Sequence, residues 1–232
     1  MLNLSNYKVL TFDCYGTLID WETGILNALM PLLEQHGVHL SADEILRHYA
    51  EFESALEAGS YRPYRQILAG VVQQFGERFG FTPSEAEQQS LPDSVQDWPA
   101  FADTVAALQQ LHQTYKLVIL SNVDDSLFAQ TNRRLVQFYD VVTAEQVQSY
   151  KPSLNNFNTL IQRAGVPSQQ ILHVAASLYH DIVPASSLGL ATVWVNRRHD
   201  QTGSGAAPEA AGKADLVVPD LQTLADLVQA GS

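Results

Sequence analysis

Short runs of apolar, often β-branched residues recur along the chain, and each is followed by polar or turn-forming residues. Runs of this length and composition are typical of strands buried in a parallel sheet. We interpret five of them as strands, at residues 7–13, 115–122, 171–177, 191–196 and 214–220.

The segments between these runs carry helical periodicity. Residues 100–113 repeat apolar positions every three or four residues, and the helical pattern at residues 155–165 ends at Gly165, a residue type that commonly terminates helices. Strands that alternate with helices predict βαβ units, and therefore a parallel sheet of the α/β class.

Residues from about 22 to 92 differ, because they show helices and no convincing strand. Ser41 with Glu44 matches a helix capping box, and Thr82 with Glu85 matches a second one. The sequence thus predicts a helical insertion between the first strand and the rest of the α/β unit.

The insertion divides the chain into two predicted domains. Residues 1–18 and 94–232 form the predicted core domain, and residues 19–93 form the predicted helical cap. A chain of 232 residues with 46% hydrophobic residues is long enough for one large domain that carries an insertion.

The net charge of the chain limits the kinds of partner that we expect it to bind. The net charge is −12 and the 13 basic residues are scattered, so we expect no nucleic-acid partner and no anionic membrane partner. An anionic substrate would need a local positive site. The single cysteine, Cys14, fits a reducing cytosol. With no signal-peptide pattern and no apolar run near ~20 residues, we expect a cytoplasmic protein.

Polar residues follow three of the predicted strands at the point where each strand ends. Asp13 follows the first, Ser121 and Asn122 the second, and Ser177 the third, with Asp181 just beyond. Ligands of open parallel sheets bind at these carboxyl ends, so we expect the side chains to share one site.

Asp13 is a candidate nucleophile. A carboxylate nucleophile must stay ionised and be held in place, and a nearby ammonium meets both needs. Lys151, between the second and third strands, is the candidate cation. Ser121 and Asn122 can donate hydrogen bonds, and Thr17 can bond the carboxylate or cap the next segment.

Each of these residues alone also fits an ordinary structural role. Asp13 precedes a glycine-containing turn, Lys151 could be a solvated surface lysine, and Ser121 could cap the next helix. A non-catalytic binding protein on the same scaffold is therefore an alternative. The order and spacing of the residues across several strands favour catalysis.

Four segments, taken together and in order, resemble the four motifs of the haloacid dehalogenase superfamily of hydrolases. They are "TFDCYGTLID" (11–20), "ILSN" (119–122), "SYKP" (149–152) and "HVAASLYHDI" (173–182). The resemblance implies an α/β fold with a Rossmann-like parallel sheet core and a mobile helical cap. It also implies that Asp13 is the nucleophile and Lys151 its charge partner.

Two departures from the superfamily pattern narrow the branch. Tyr15 stands where the phosphatases of the superfamily carry an acid for the leaving alcohol, and Ala176 stands where they carry an Asp that helps bind Mg²⁺. Without this acid and without this Mg²⁺ ligand, metal-assisted phosphoryl transfer is unfavourable. We therefore expect neither a metal nor another cofactor, and a phosphatase is the second alternative.

The remaining pattern resembles the type II 2-haloacid dehalogenases, which need no metal. The resemblance implies that Asp13 attacks the carbon that bears the leaving group and forms an aspartyl ester, which water then hydrolyses. A halide needs no proton to leave, which fits Tyr15 in place of an acid. The expected substrate is a small 2-substituted carboxylate, above all a 2-haloacid.

The same branch binds the leaving halide between an Asn and an Arg of the cap. Asn122 matches that Asn by position, and Arg47 is the best match for the Arg, with Arg62 and Arg65 as rivals. In this branch a Tyr usually follows the third motif, but here the position is Phe157.

The fourth motif is one residue longer than usual, in "SLYHD". Tyr15, Ser177, Tyr179 and His180 complete the expected substrate-binding residues. His180 adjoins Asp181 and could activate the hydrolytic water; its alternative is a helix-start position at the rim of the site.

The motifs also resemble a subgroup that includes the L-azetidine-2-carboxylate hydrolase. In that reaction the same Asp would attack a ring carbon, and ring strain would make the ring nitrogen a leaving group. The sequence leaves this alternative open. The family-level expectation for assembly is a homodimer.

Overall fold

The computed structural model describes residues 2–201 and 203–231. Its centre is a six-stranded parallel sheet with the strand order β3-β2-β1-β4-β5-β6. The strands are β1 (Val9–Phe12), β2 (Lys116–Ser121), β3 (Asp140–Thr143), β4 (Ile171–Ala175), β5 (Ala191–Val195) and β6 (Leu216–Val218). The predicted α/β class with a Rossmann-like sheet is confirmed.

The five predicted strands each contain an observed one, but β3 was not predicted. It has four residues, "DVVT", and it pairs only with β2 at the edge of the sheet. Two of its residues are partly exposed, so it lacks the continuous apolar run of β1 or β4. A short, half-exposed edge strand gives too weak a pattern to be recognised.

Ten helices accompany the sheet in the part of the chain that the structure describes. They are α1 (Trp21–Gln35), α2 (Ala42–Glu57), α3 (Tyr64–Phe79), α4 (Glu85–Ser94), α5 (Thr104–Leu111), α6 (Asp125–Asn132), α7 (Ala144–Val147), α8 (Leu154–Ala164), α9 (Val183–Ser187) and α10 (Leu221–Ala230). Short 3₁₀ segments and a π-helical turn, Leu178–Ile182, lie between them. None of the described helices is long and apolar enough to cross a membrane.

Helices α1 to α4 form the helical insertion, Trp21–Ser94, between β1 and β2. Their apolar faces pack on one another, with Leu29, Tyr49, Leu68 and Phe75 fully buried. Helices are therefore observed in the segment where the sequence predicts them. The division into a core of residues 1–18 and 94–232 and a cap of residues 19–93 stays a prediction.

Helix starts show how local sequence sets the elements. The capping box of Ser41 and Glu44 is present at α2 as predicted. The box predicted for Thr82 and Glu85 is wrong, because α4 is capped by Ser84 with Glu87. In "TPSEAE" the capping-box pattern occurs twice, two residues apart, and the second occurrence, Ser84 with Glu87, is the one that forms.

Hydrogen bonds join the insertion to loops of the rest of the chain. The carboxylate of Asp124, which follows β2, accepts hydrogen bonds from the Tyr64 and Arg65 N–H groups at 2.7 and 2.9 Å. It thereby caps the first turn of α3 from outside the helix. The Tyr150 hydroxyl donates to the Arg62 carbonyl at 2.8 Å. The insertion is thus held at the loop after β2 and at the loop that contains Tyr150.

Candidate active site

Asp13 directly follows β1 at the carboxyl end of the sheet. Its N–H donates to the Val174 carbonyl of the adjacent β4, which continues the parallel pairing and places the side chain at the sheet edge. Gly16 turns the chain back with a φ of +94°, a conformation that favours glycine. This turn brings the Thr17 hydroxyl to 2.7 Å from Asp13 Oδ2, to which it donates.

Lys151 joins the two buried carboxylates of the site. Its Nζ donates to Asp13 Oδ1 at 2.8 Å, to Asp181 Oδ1 at 2.7 Å and to the Leu120 carbonyl at 3.1 Å. Burial acts to lower the pKa of Lys151, but the two carboxylates raise it above its ordinary value. All three ammonium protons are therefore used, and the lysine is a fixed positive charge.

The two carboxylates differ in their electrostatic surroundings. Burial would raise the pKa of Asp181, but Lys151 and the hydrogen bond from His173 hold it at about 2. His173 Nε2 lies 3.0 Å from Asp181 Oδ1, and its Nδ1 lies 2.8 Å from Thr11 Oγ1. Burial raises the pKa of Asp13 above its usual value, although Lys151 and Thr17 oppose the rise. Asp181 is thus the fixed anion, and Asp13 is the more basic carboxylate.

Thr17 links the nucleophile to the fourth motif. Its Oγ1 donates to Asp13 and accepts a hydrogen bond from the Ala176 N–H at 2.8 Å. Ala176 therefore contributes its backbone N–H to the site, and its methyl side chain cannot bind a cation. The described residues include no group of three or more His, Cys, Asp or Glu side chains that could hold a metal ion.

Ser121 and Asn122 take different roles. Asn122 Oδ1 accepts from the Lys151 N–H at 2.7 Å, and its Nδ2 donates to the Lys151 carbonyl at 3.1 Å, so this amide fixes the lysine backbone. Ser121 is 1% exposed, and its hydroxyl has no hydrogen-bond partner among the described residues. It lines the same cavity as Asp13 and is therefore free to bond a ligand.

The expected arginine of the insertion is not brought to the site. Arg47 is exposed, because the buried face of α2 is formed by neighbours such as Leu46 and Tyr49. Arg62 donates to the Leu56 carbonyl and Arg65 pairs with Asp93 at 2.7 Å on the surface. Arg47 and its two rivals do not line the cavity in this structure, so the assignment of an arginine to the leaving group stays a prediction that this geometry does not support.

The residues of the fourth motif are only partly at the cavity. Ser177 begins the π-helical turn, and its Oγ accepts from the His180 N–H at 3.0 Å. His180 lines the cavity with an unpartnered Nε2, and burial lowers its pKa to about 4, so its ring is neutral. Tyr179 is not brought to this cavity and instead lines a smaller neighbouring one.

Tyr15 reaches the cavity through its ring rather than through a free hydroxyl. The hydroxyl is bonded to Thr131 Oγ1 at 2.9 Å, and the ring packs edge-on against Trp98. Burial raises the pKa of this phenol well above its usual value. Tyr15 therefore supplies an apolar wall and no proton. Cys14, its neighbour, is fully buried in the core.

Two acids in the second half of α2, Glu53 and Glu57, line the cavity, which measures about 970 Å³, and neither was predicted from the sequence. Glu53 Oε1 accepts hydrogen bonds from the hydroxyls of Tyr49 at 2.7 Å and Tyr64 at 2.5 Å. Glu57, one turn later, has Oε2 3.5 Å from Asn122 Nδ2. Their spacing of four residues on the apolar face of α2 is the signal that could have identified them.

Burial changes the protonation of both acids. It raises the pKa of Glu53 to about 7, against the opposing effect of the two tyrosine hydroxyls. It raises the pKa of Glu57 well above the usual value, with Glu53 adding to the rise and Lys151 opposing it. The insertion therefore presents protonatable carboxyl groups to the nucleophile, in place of an arginine.

Arg197 is a further residue that the sequence did not identify. It follows β5, and its Nη2 and Nε donate to the Thr17 carbonyl at 2.9 and 3.2 Å. Its Nη1 pairs with Asp103 at 2.8 Å. Arg197 lines the cavity and supports the loop that carries Thr17, so we regard it as a positioning residue.

Comparison with known proteins places this geometry in a family. Residues 7–189 match the model of the haloacid dehalogenase-like hydrolases, a span that contains Asp13, Ser121, Lys151 and Asp181. The (S)-2-haloacid dehalogenase of Pseudomonas fluorescens is 26% identical, over 96% of this chain and 97% of that protein. The validoxylamine A 7'-phosphate phosphatase of Streptomyces hygroscopicus subsp. limoneus is 28% identical, over 93% and 94%.

Solved structures share the fold. The L-2-haloacid dehalogenase from Xanthobacter autotrophicus, with chloropropionic acid covalently bound, superposes with a TM-score of 0.79 at 18% identity, over 96% of this chain and 98% of that one. The L-2-haloacid dehalogenase PA0810 superposes with a TM-score of 0.80 at 22% identity, over 97% and 99%. The relatives by sequence thus include both dehalogenases and phosphatases.

Proposed function

Since the chain belongs to the haloacid dehalogenase-like hydrolases, we propose that it hydrolyses small 2-substituted carboxylates through a covalent ester on Asp13. The observation that carries the proposal is the arrangement of Asp13, Lys151 and Asp181, in which one ammonium bonds both carboxylates at 2.7–2.8 Å. A fixed cation beside the nucleophile stabilises the negative charge that develops in the reaction, so that charge does not have to be neutralised by a proton donor.

In the first step an Asp13 oxygen forms a bond to the carbon that bears the leaving group. The bond to the leaving group breaks, and that group departs with the electron pair. Lys151 and Thr17 hold the two Asp13 oxygens, so the attacking oxygen keeps its direction. Ser121, with its free hydroxyl, is placed to bond the substrate carboxylate.

In the second step water attacks the carbonyl carbon of the ester and releases the 2-hydroxy acid. Asp181 Oδ2 is buried and has no hydrogen-bond partner among the described residues, so it can accept a hydrogen bond from this water. Lys151 stabilises the negative charge that develops on the ester oxygen. Splitting one displacement into two steps lowers the highest barrier.

Phosphoryl transfer is the less favoured reaction because two required groups are replaced. Tyr15 has a high pKa and a bonded hydroxyl, so it does not protonate a leaving alcohol. Ala176 offers an N–H where a carboxylate ligand for Mg²⁺ is expected. The phosphatases among the relatives make this the competing activity to test.

Halide is the first candidate for the leaving group, because relatives over nearly the whole chain are 2-haloacid dehalogenases. A ring nitrogen is the second candidate, and the carboxyl groups of Glu53 and Glu57 at the cavity favour it. Both reactions use the same ester on Asp13.

The test is turnover of 2-chloropropionate, azetidine-2-carboxylate and p-nitrophenyl phosphate, each with and without EDTA. We expect hydrolysis of at least one carboxylate in EDTA and its loss in Asp13→Asn. Hydrolysis of the phosphate ester alone, abolished by EDTA, would overturn the proposal in favour of a phosphatase.

A further inference from the structure

A buried line of hydrogen-bonded side chains leads from the interior of the sheet to the nucleophile. Thr11 of β1 and His173 of β4 are partners in the parallel pairing of the two strands, and both are fully buried. Thr11 Oγ1 lies 2.8 Å from His173 Nδ1, and His173 Nε2 lies 3.0 Å from Asp181 Oδ1. Asp181 in turn bonds Lys151, the charge partner of Asp13.

The charge of Asp181 sets the direction of these hydrogen bonds. Burial would raise its pKa, but the Lys151 ammonium and His173 hold it at about 2, so the group is a carboxylate and only accepts. His173 Nε2 therefore carries a hydrogen and donates it to Asp181. Nδ1 of the neutral ring is then the acceptor for the Thr11 hydroxyl. Both neighbours thus select the same tautomer of His173.

The two donors on Asp181 determine which of its oxygens stays free. Lys151 Nζ at 2.7 Å and His173 Nε2 at 3.0 Å both donate to Oδ1. Oδ2 is buried and has no hydrogen-bond partner among the described residues, and Asp181 lines the cavity that contains Asp13. A buried carboxylate oxygen without a partner costs free energy, so Oδ2 is the position that a bound water would satisfy.

Lys151 alone would not fix this orientation. An ammonium is a compact charge with rotatable donors, and the last torsion of an Asp side chain is broad and twofold, so either oxygen could pair with it. The imidazole of His173 is planar, and its strand is paired on both sides, with β1 and with β5. The histidine therefore supplies direction, and the lysine supplies charge.

From this geometry we propose that His173 is a positioning residue for the second step of the reaction, in which it holds Asp181 so that Oδ2 accepts from the water that attacks the Asp13 ester. The first step needs no proton acceptor, and the contacts that aim Asp13 come from Lys151 and Thr17. The inference rests on the proposed ester chemistry, and it adds a residue that acts on one half of it.

The second step balances with the groups that the site holds. The water oxygen forms a bond to the ester carbonyl carbon, and one water proton moves to Asp181 Oδ2. The bond between that carbon and the product oxygen then breaks, and the product oxygen keeps the electron pair and takes the proton from Asp181. The second water proton leaves to solvent, and Asp13 is again a carboxylate.

The test follows formation and decay of the ester separately. Rapid quenching and mass spectrometry of the peptide that contains Asp13 give both rate constants, with 2-chloropropionate and azetidine-2-carboxylate as probes. His173→Leu removes the donor, whereas His173→Gln keeps an N–H at similar reach. We expect ester decay to slow by about 30-fold or more in the Leu variant and by about fivefold or less in the Gln variant, with ester formation within about threefold in both.

Thr192→Val is the matched control. Thr192 of β5 is paired with His173 in the sheet and is equally buried, but its hydroxyl bonds Asp215. The control should leave the ratio of the two rate constants within about twofold. Thr11→Val removes the hydroxyl that selects the tautomer, and we expect it to slow ester decay by about threefold or more. It tests the proposal even where His173→Leu does not fold.

The outcomes separate this inference from the proposed function. Equal slowing of ester formation and decay in His173→Leu, a Gln variant as slow as the Leu variant, or unchanged ester decay in Thr11→Val would overturn the positioning role and leave the ester chemistry standing. Wild-type protein that forms no ester with either probe would overturn the proposed function, and this inference with it.

Discussion

At the scale of single residues, the site depends on Lys151. Its side chain is 2% exposed, and it is bonded to both Asp13 and Asp181, so the three charges form one buried unit. Removing the lysine leaves two unpaired carboxylates at close range in a low-dielectric site. The same group therefore supports both stability and catalysis.

We expect Lys151→Met to lower the free energy of unfolding by about 3–5 kcal/mol at pH 7 and to abolish turnover. Lys213→Met, at an exposed position, is the control and should change the free energy of unfolding by no more than about 0.5 kcal/mol. Denaturant unfolding measures the difference. Because the two carboxylates regain protons at low pH, the deficit should shrink below about pH 4. An equal deficit at all pH values would contradict this account of the buried charges.

At the scale of elements, α3 depends on a residue outside the helix. Asp124 accepts the N–H groups of Tyr64 and Arg65, while the N-cap residue itself, Pro63, makes no side-chain bond. The start of α3 and its position over the sheet are therefore set by one carboxylate of the loop after β2.

Asp124→Ala should remove this cap and lower the free energy of unfolding by about 1–2 kcal/mol. The KM for the substrate should also rise, because α3 carries Tyr64, which holds Glu53 at the cavity. Asp93→Ala breaks only the exposed pair with Arg65 and should change both quantities less. Equal effects of the two variants would show that Asp124 does not anchor the insertion.

The acids of α2 predict an unusual pH dependence of stability. The pKa of Glu53 is about 7 in the folded protein and near 4.5 when exposed, so between these values the folded state binds more protons. Stability contributed by this group is therefore present at low pH and is lost as the pH rises from about 4.5 to about 7.

Glu53→Gln should remove that loss, since Gln has no proton to release and still accepts from Tyr49 and Tyr64. We expect the variant to gain up to about 3 kcal/mol relative to wild type at pH 8 and little at pH 4.5. Thermal unfolding across this range, with Glu34→Gln as control, measures the gain. A variant that is less stable than wild type at pH 8 would contradict the raised pKa.

At the scale of the whole molecule, the sequence predicts the architecture better than it predicts the cavity. Apolar runs locate β1, β2, β4, β5 and β6, because a parallel strand buried on both faces has a continuous apolar sequence. Edge strand β3 lacks a continuous apolar run and is therefore not recognised from the sequence. Asp13, Ser121 and Lys151 are predictable because each adjoins a strand end or a recognisable motif.

The part of the cavity lining that α2 supplies is not predictable in the same way. Which residues of α2 face the cavity depends on the rotation of this helix against the sheet. That rotation turns Arg47 to solvent and Glu53 and Glu57 to the cavity. Distance along the chain from Asp13 does not contain this information, which is why it selects an arginine that does not line the cavity.

The central claim is that Asp13 forms the ester and that water attacks its carbonyl carbon. The measurement is mass spectrometry of product and enzyme after turnover of the carboxylate that proves active, in H₂¹⁸O. A single turnover should yield an unlabelled product, and multiple turnovers should place ¹⁸O in the peptide that contains Asp13. Label in the product after a single turnover, with none in that peptide, would contradict the account.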